Sequence, residues 1–119
     1  MTAFSFSFRI RKTYFDAIVK GEKTVEYRRA SAFWAIRIQN WAADRGLAAL
    51  FPIRLERGAI CFRGSFEDTI AVFLCGKRIH RRKICSISLM RTPSSFSAQG
   101  RKDVDTDLCY AFHLGEALG

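Results

Sequence analysis

Between Arg9 and Arg29 the chain reads RIRKTYFDAIVKGEKTVEYRR, which concentrates Lys12, Lys20, Lys23, Arg28 and Arg29 with Glu22 and Glu26. An arginine such as Arg28 can grip a phosphate with a planar fork of donors, and Lys23 supplies a compact point charge. Glu26 can accept from a base amino group or hold the arginine in place. Such a trio suits a nucleotide. The competing account is that Glu26 and Arg28, two apart on one strand face, pair with each other or with neighbours and only stabilise the sheet. A second cationic run, Lys77, Arg78, His80, Arg81, Arg82 and Lys83, is the densest in the chain. At a hairpin tip it can track a phosphate backbone, and binding would then fall steeply with salt. As a solvated turn it would serve solubility alone. No aromatic residue interrupts it, so base stacking is not implied there.

These residues need elements to position them. Phe4, Phe6, Phe8 and Ile10 alternate with Ser5, Ser7, Arg9 and Arg11, the period of two that defines a half-buried strand. Thr13 and Asp16 resemble a capping box, Phe15, Ile18 and Val19 share one helical face, and Gly21 suits a left-handed C-cap, which predicts a helix over Tyr14 to Lys20. Lys23 to Arg29 reads as a second strand, with Val25 and Tyr27 on the core face. Ala32 to Leu50 holds Trp34, Ile38 and Trp41 at helical spacing and predicts one or two helices. Short strands follow at Ala59 to Arg63, Ile70 to Cys75, Lys83 to Met90 and Cys109 to Leu114. The run Ile70 to Cys75 is apolar throughout and predicts burial on both faces. Gly76 to Arg82 reads as the hairpin connection, and Thr92 to Asp107 as a long loop or part-helix. The fold class is therefore α+β: a small mixed, largely antiparallel sheet curling into a barrel, with one to three helices and a strand-helix-strand opening.

At 119 residues the chain fits a single domain, 1–119, and excludes a multidomain enzyme. Hydrophobic residues at 49% and charged residues at 26% support a packed core. A formal charge of +9 directs attention to polyanionic partners, nucleic acid first and an acidic membrane surface second. Cys61, Cys75, Cys85 and Cys109 form no CxxC pair and only His80 and His113 are available as imidazoles, so neither a metal site nor a cofactor is expected. Each cysteine lies in a strand-like run as a small buried hydrophobe, which fits a reducing cytoplasmic setting. No apolar run is long enough for a signal peptide or a membrane span. Trp34 and Trp41 can stack bases, but their spacing favours the core. His113 on an apolar strand reads as structural, and Ser94, Ser95 and Ser97 as loop residues without triad context.

The helix-to-strand turn resembles the ASCH domain, a branch of the PUA-like β-barrels. The family's G-x-K-x-x-E-x-R signature is matched in register by Gly21, Lys23, Glu26 and Arg28. Phe33-Trp34 with Arg37, the run Ala71 to Arg78, and Cys109 to Glu116 also look like later parts of such domains, while Asn40 to Arg57 looks like a helical insertion. The resemblance implies a cleft for RNA or a nucleotide-like ligand lined by Lys23, Glu26 and Arg28, assisted by Lys12, Thr24 and the basic hairpin residues Lys77, Arg78, Arg81 and Arg82. Some relatives are amidohydrolases that deacetylate acetylcytidine with the signature lysine, a threonine three residues later and a glutamate. Lys23 matches that lysine as a general base, but Glu26 stands where the threonine is expected and Thr24 lies one residue after the lysine. A carboxylate there rules out the nucleophilic step, although Glu26 can activate a water, so Lys23 and Glu26 are the catalytic pair if the chain is an enzyme. A ribonuclease is a second catalytic alternative implied by the family, and a protein-interaction adaptor of unknown partner is the third class.

Strand parity raises one geometric condition. In an unbroken strand Lys23 shares the face of Val25 and Tyr27, opposite Glu26 and Arg28. The three can meet only if Lys23 lies in the Gly21 turn, before regular pleating begins, or if a bulge shifts the register.

Overall fold

The computed structural model describes residues 5–44, 60–63, 68–93 and 108–118. Eight elements run in the order β1 (Phe6–Arg9), α1 (Lys12–Val19), β2 (Val25–Arg29), α2 (Ala32–Asp44), β3 (Ile60–Arg63), β4 (Ile70–Cys75), β5 (Arg78–Arg91) and β6 (Leu108–Ala117). The strands form one sheet in the order β1-β4-β5-β6-β2, with β3 pairing β5 off this path. The fold is α+β with a mixed sheet: β1 lies parallel to β4, Phe6 against Ala71 and Phe8 against Phe73, whereas β4 and β5 are antiparallel. The strand-helix-strand opening is present as the patterning predicts. Two compact units can be distinguished, one drawn from Met1–Glu26, Phe62–Ile87 and Phe112–Gly119, the other from Tyr27–Cys61 and Ser88–Ala111.

The first unit is built on aromatic packing. Phe6 and Phe8 are buried while Ser7 and Arg9 are exposed, as a period of two requires. Phe112 packs against both, with ring centres 5.1 and 5.0 Å away, and Phe8 stacks on Phe73 at 5.3 Å. Ile70, Ala71, Val72 and Phe73 are all buried, so β4 is covered on both faces as its continuous apolar run predicts. Helix α1 adds Phe15 and Ile18 to this core. Val19, expected on the same face, is exposed, because it stands one residue past Ile18 and rotates out of the buried stripe. The expected capping box is also absent: Arg11 is the N-cap and makes no side-chain cap bond, and Asp16 bonds elsewhere.

In the second unit Ser31 caps α2, its Oγ accepting from the Trp34 amide at 3.5 Å. Trp34, Ile38, Trp41 and Ala42 are buried, which assigns both tryptophans to the core. Cys109, Tyr110 and Ala111 of β6 are buried as well. Most of the expected insertion, residues 45–57, and the loop residues 94–107 lie outside the described residues.

Two further expectations are corrected. β5 starts at Arg78, not Lys83, so the connection from β4 is only Gly76 and Lys77, with Gly76 at φ 59°. A two-residue hairpin loop requires that left-handed conformation, and glycine takes it without steric cost. The cations from Arg78 to Lys83 are therefore strand residues paired against β4, as in Cys75 against Arg78 and Phe73 against His80. The cysteines differ too: Cys109 is buried, where burial pushes its thiol up, but Cys75 is half-buried and Cys85 exposed.

Candidate functional site

The turn that carries the signature is fixed by the end of α1. Gly21, at φ 79°, donates its amide to the Ile18 carbonyl at 3.1 Å, and the Glu22 amide reaches the Ala17 carbonyl at 2.9 Å. This pair of bonds is a Schellman motif, which satisfies carbonyls the helix leaves without partners. The Lys23 amide joins it by bonding the same Ala17 carbonyl at 3.1 Å, so the lysine backbone is tied to the helix end before β2 begins at Val25. Lys23 thus lies in the turn, the first of the two arrangements that the parity condition allows.

Its side chain lies between two partners. Lys23 Nζ is 3.3 Å from Glu26 Oε2 and 4.8 Å from the centre of the Tyr14 ring, on the exposed face of α1. Glu26 is the buried member of β2, with Val25 and Tyr27 half-buried, so the expected facing of this strand is reversed. The ammonium facing Glu26 offsets part of the cost of burying a carboxylate that the Val25–Tyr27 reading assigned to solvent. Thr24 is exposed, and its carbonyl accepts the Leu114 amide at 2.8 Å, binding the turn to β6.

Asp16 organises a second group. Its Oδ2 accepts from Lys12 Nζ at 2.7 Å and its Oδ1 from Arg78 Nη1 at 2.8 Å, and these two cations hold its carboxyl down at about 2. Arg78 also lies over the Phe15 ring, 4.4 Å from its centre. The start of β5 is in this way attached to α1. Arg82 strengthens that attachment: its Nη1 donates to the Ile18 carbonyl at 3.0 Å and its Nε to the Gly115 carbonyl at 2.9 Å. Lys83 meets Glu116 at 3.4 Å. Lys77 and Arg81 are exposed.

His80 is buried beneath α1, edge-on to Phe15, and its Nε2 is buried with no hydrogen-bond partner. Burial, and next to it the charge of Arg82, lowers its pKa from the usual imidazole value.

Of the residues singled out in the sequence, Lys23 and Glu26 are brought together, as are Lys12 and Arg78 through Asp16. Arg28 belongs to the second unit, where its guanidinium carbon is 5.7 Å from the centre of the Trp34 ring. Sequence reading missed Tyr14 and Asp16 as partners. The four-residue spacing of Lys12 and Asp16 on a helix was a usable signal for one of these contacts. Among the described residues no cluster of three or more His, Cys, Asp or Glu could hold a metal ion, and no helix is long and apolar enough to cross a membrane. No family model, curated protein or solved structure matches the chain.

Proposed function

We propose that the chain is an ASCH-type, PUA-like domain of the cytoplasm that binds RNA or a nucleotide-like ligand through the turn holding Lys23. The observation that carries this reading is the seating of Lys23: a cation at the mouth of a turn, its backbone tied to α1 and its ammonium between a buried carboxylate and an exposed tyrosine ring. An ordered, partly exposed ammonium beside an aromatic face offers a phosphate and a base their respective partners. Lys77 and Arg81 are exposed on the same unit, Arg81 on the face of β5 opposite His80 and Arg82, and the chain's charge of +9 draws a polyanion towards the protein. Lys12, Arg78 and Arg82 also fix α1 and β5, Lys12 and Arg78 through Asp16 and Arg82 through the Ile18 and Gly115 carbonyls.

Binding of a short single-stranded RNA, titrated with salt, tests the reading. A phosphate-gripping surface gives a log-log slope of about −0.7 per contact. The Lys23→Ala chain should bind more weakly and with a shallower slope. A flat salt response in the wild-type chain would instead indicate an adaptor whose charge serves solubility. Incubating the protein with acetylcytidine and with labelled RNA tests the hydrolase alternatives: turnover abolished in Lys23→Ala would replace the binding reading with an enzymatic one.

A further inference from the structure

We infer that the first turns of α2 form a stacking platform for an unpaired nucleobase, built from Phe33 and Arg37 and not from the tryptophans. The inference rests on the RNA-binding reading and adds a base-recognising surface on the second unit. Phe33 is 54% exposed, so a large part of its ring is available at the surface. Arg37 Cζ lies 3.3 Å from the centre of that ring, and Arg37 Nη1 donates to the Phe33 carbonyl one turn back at 3.2 Å. The guanidinium is thereby held over the ring by its own helix.

A second pair continues the arrangement inward. Trp34, buried, meets Phe33 edge to face with centres 5.6 Å apart, and Arg28 lies over Trp34. The outer ring is thus backed by a core residue, which keeps it from folding away.

A cation ordered on an exposed aromatic ring is a surface that can accept a flat, electron-rich group from a polyanion, because bases stack on aromatic rings and on guanidinium planes while phosphates seek the charge. The local charge selects the same partner: the described residues of this unit carry Arg28, Arg29, Arg37 and Arg91 against Asp44 alone. Ile36, 55% exposed and three residues from Phe33, adds an apolar margin. An apolar helix laid on this face would meet those charges without a counter-charge, so a single-stranded nucleic acid fits better.

The test compares three ligands of equal length: a single-stranded RNA, an abasic strand with the same backbone, and duplex RNA. Phe33→Leu keeps an apolar side chain and removes the ring; circular dichroism should be unchanged because the ring is on the surface. Losing one stacked base should weaken single-stranded RNA about ten-fold while the abasic strand and the duplex bind as before and the salt slope stays the same. Arg37→Gln should weaken it as well, with a smaller salt slope. Equal weakening of RNA and abasic strand by Phe33→Leu, or no weakening, overturns the platform and leaves phosphate binding standing. Failure of the wild-type chain to bind either strand overturns both readings. Poly-glutamate bound as tightly as RNA, and lost in the same two variants, would assign the face to an acidic protein and overturn the nucleobase.

Discussion

At the scale of single residues, the buried groups that carry charge or titrate dominate. Glu26 is buried in β2 with Lys23 against it, so Lys23→Met removes one ion-pair partner from a carboxylate in a poorly solvated place. The expected loss is about 1–3 kcal/mol, the cost of removing one partner from a buried polar contact. Glu26→Gln in the same background should recover part of it, since a neutral amide needs no counter-charge; denaturant melts of the two chains check this. His80 gives a pH dependence. Around it are Arg82 on its own strand, whose charge adds to the effect of burial, Phe73 opposite on β4, and Phe15 on α1. Its folded pKa lies below the usual 6.5, so as pH falls past 6.5 the unfolded chain takes a proton that the folded chain resists, and stability declines. His80→Gln should flatten that decline between pH 7 and 5. Asp16 acts lower: its depressed carboxyl contributes stability that is present above 3.8 and lost as pH falls towards 2, a window that the His80 variant leaves untouched.

At the scale of elements, the joint between α1 and β2 rests on one backbone conformation. Gly21 has φ 79° with open space around its Cα, so Gly21→Ala meets no clash and the whole cost is backbone strain. That cost is about 1–2 kcal/mol, a few degrees in melting temperature. Gly21→Asn should lose less, because asparagine tolerates the left-handed region. The same joint shows what sequence makes legible. Gly21 as a C-cap, the alternation of Phe6 and Phe8, and β4 over Ile70–Cys75 were all readable, because each is a local pattern of period, punctuation or apolar run. Parity narrowed Lys23 to two positions, the Gly21 turn or a bulged strand, and the structure has the turn, with β2 starting at Val25. Contacts between distant segments left no such trace. The Asp16–Arg78 pair spans 62 residues and the Arg82 bond to the Ile18 carbonyl spans 64, so Arg78 and Arg82, which read as part of a basic hairpin tip, are instead strand residues that bond to a helix. The burial of Glu26 was equally hidden, since a carboxylate reads as a surface residue until its partner is known. Whether Lys23 and Arg28 serve one ligand was a matter of resemblance throughout, because motif spacing does not fix side-chain direction.

For the whole molecule, the question raised by a charge of +9 is which cations are free to meet a polyanion and which are consumed by the fold. Adjacent residues on β5 separate the two roles. Arg81 is exposed, while Arg82 spends its donors on the carbonyls of Ile18 and Gly115. Arg81→Gln should therefore leave the melting temperature nearly unchanged, as surface substitutions usually do, and reduce the RNA salt slope by about 0.7. Arg82→Gln should do the reverse, costing about 1–3 kcal/mol because two carbonyls lose a charged donor, with the slope preserved at temperatures where the variant is folded. Lys77→Gln, in the exposed turn, should follow Arg81. Measuring slope and melting temperature on the same three chains makes the distinction quantitative. Should Arg82→Gln lower the slope as much as Arg81→Gln, the partition is wrong and Arg82 meets the nucleic acid as well. Should none of the three change it, the phosphates lie elsewhere, and the positive charge of β5 serves the packing of α1 alone.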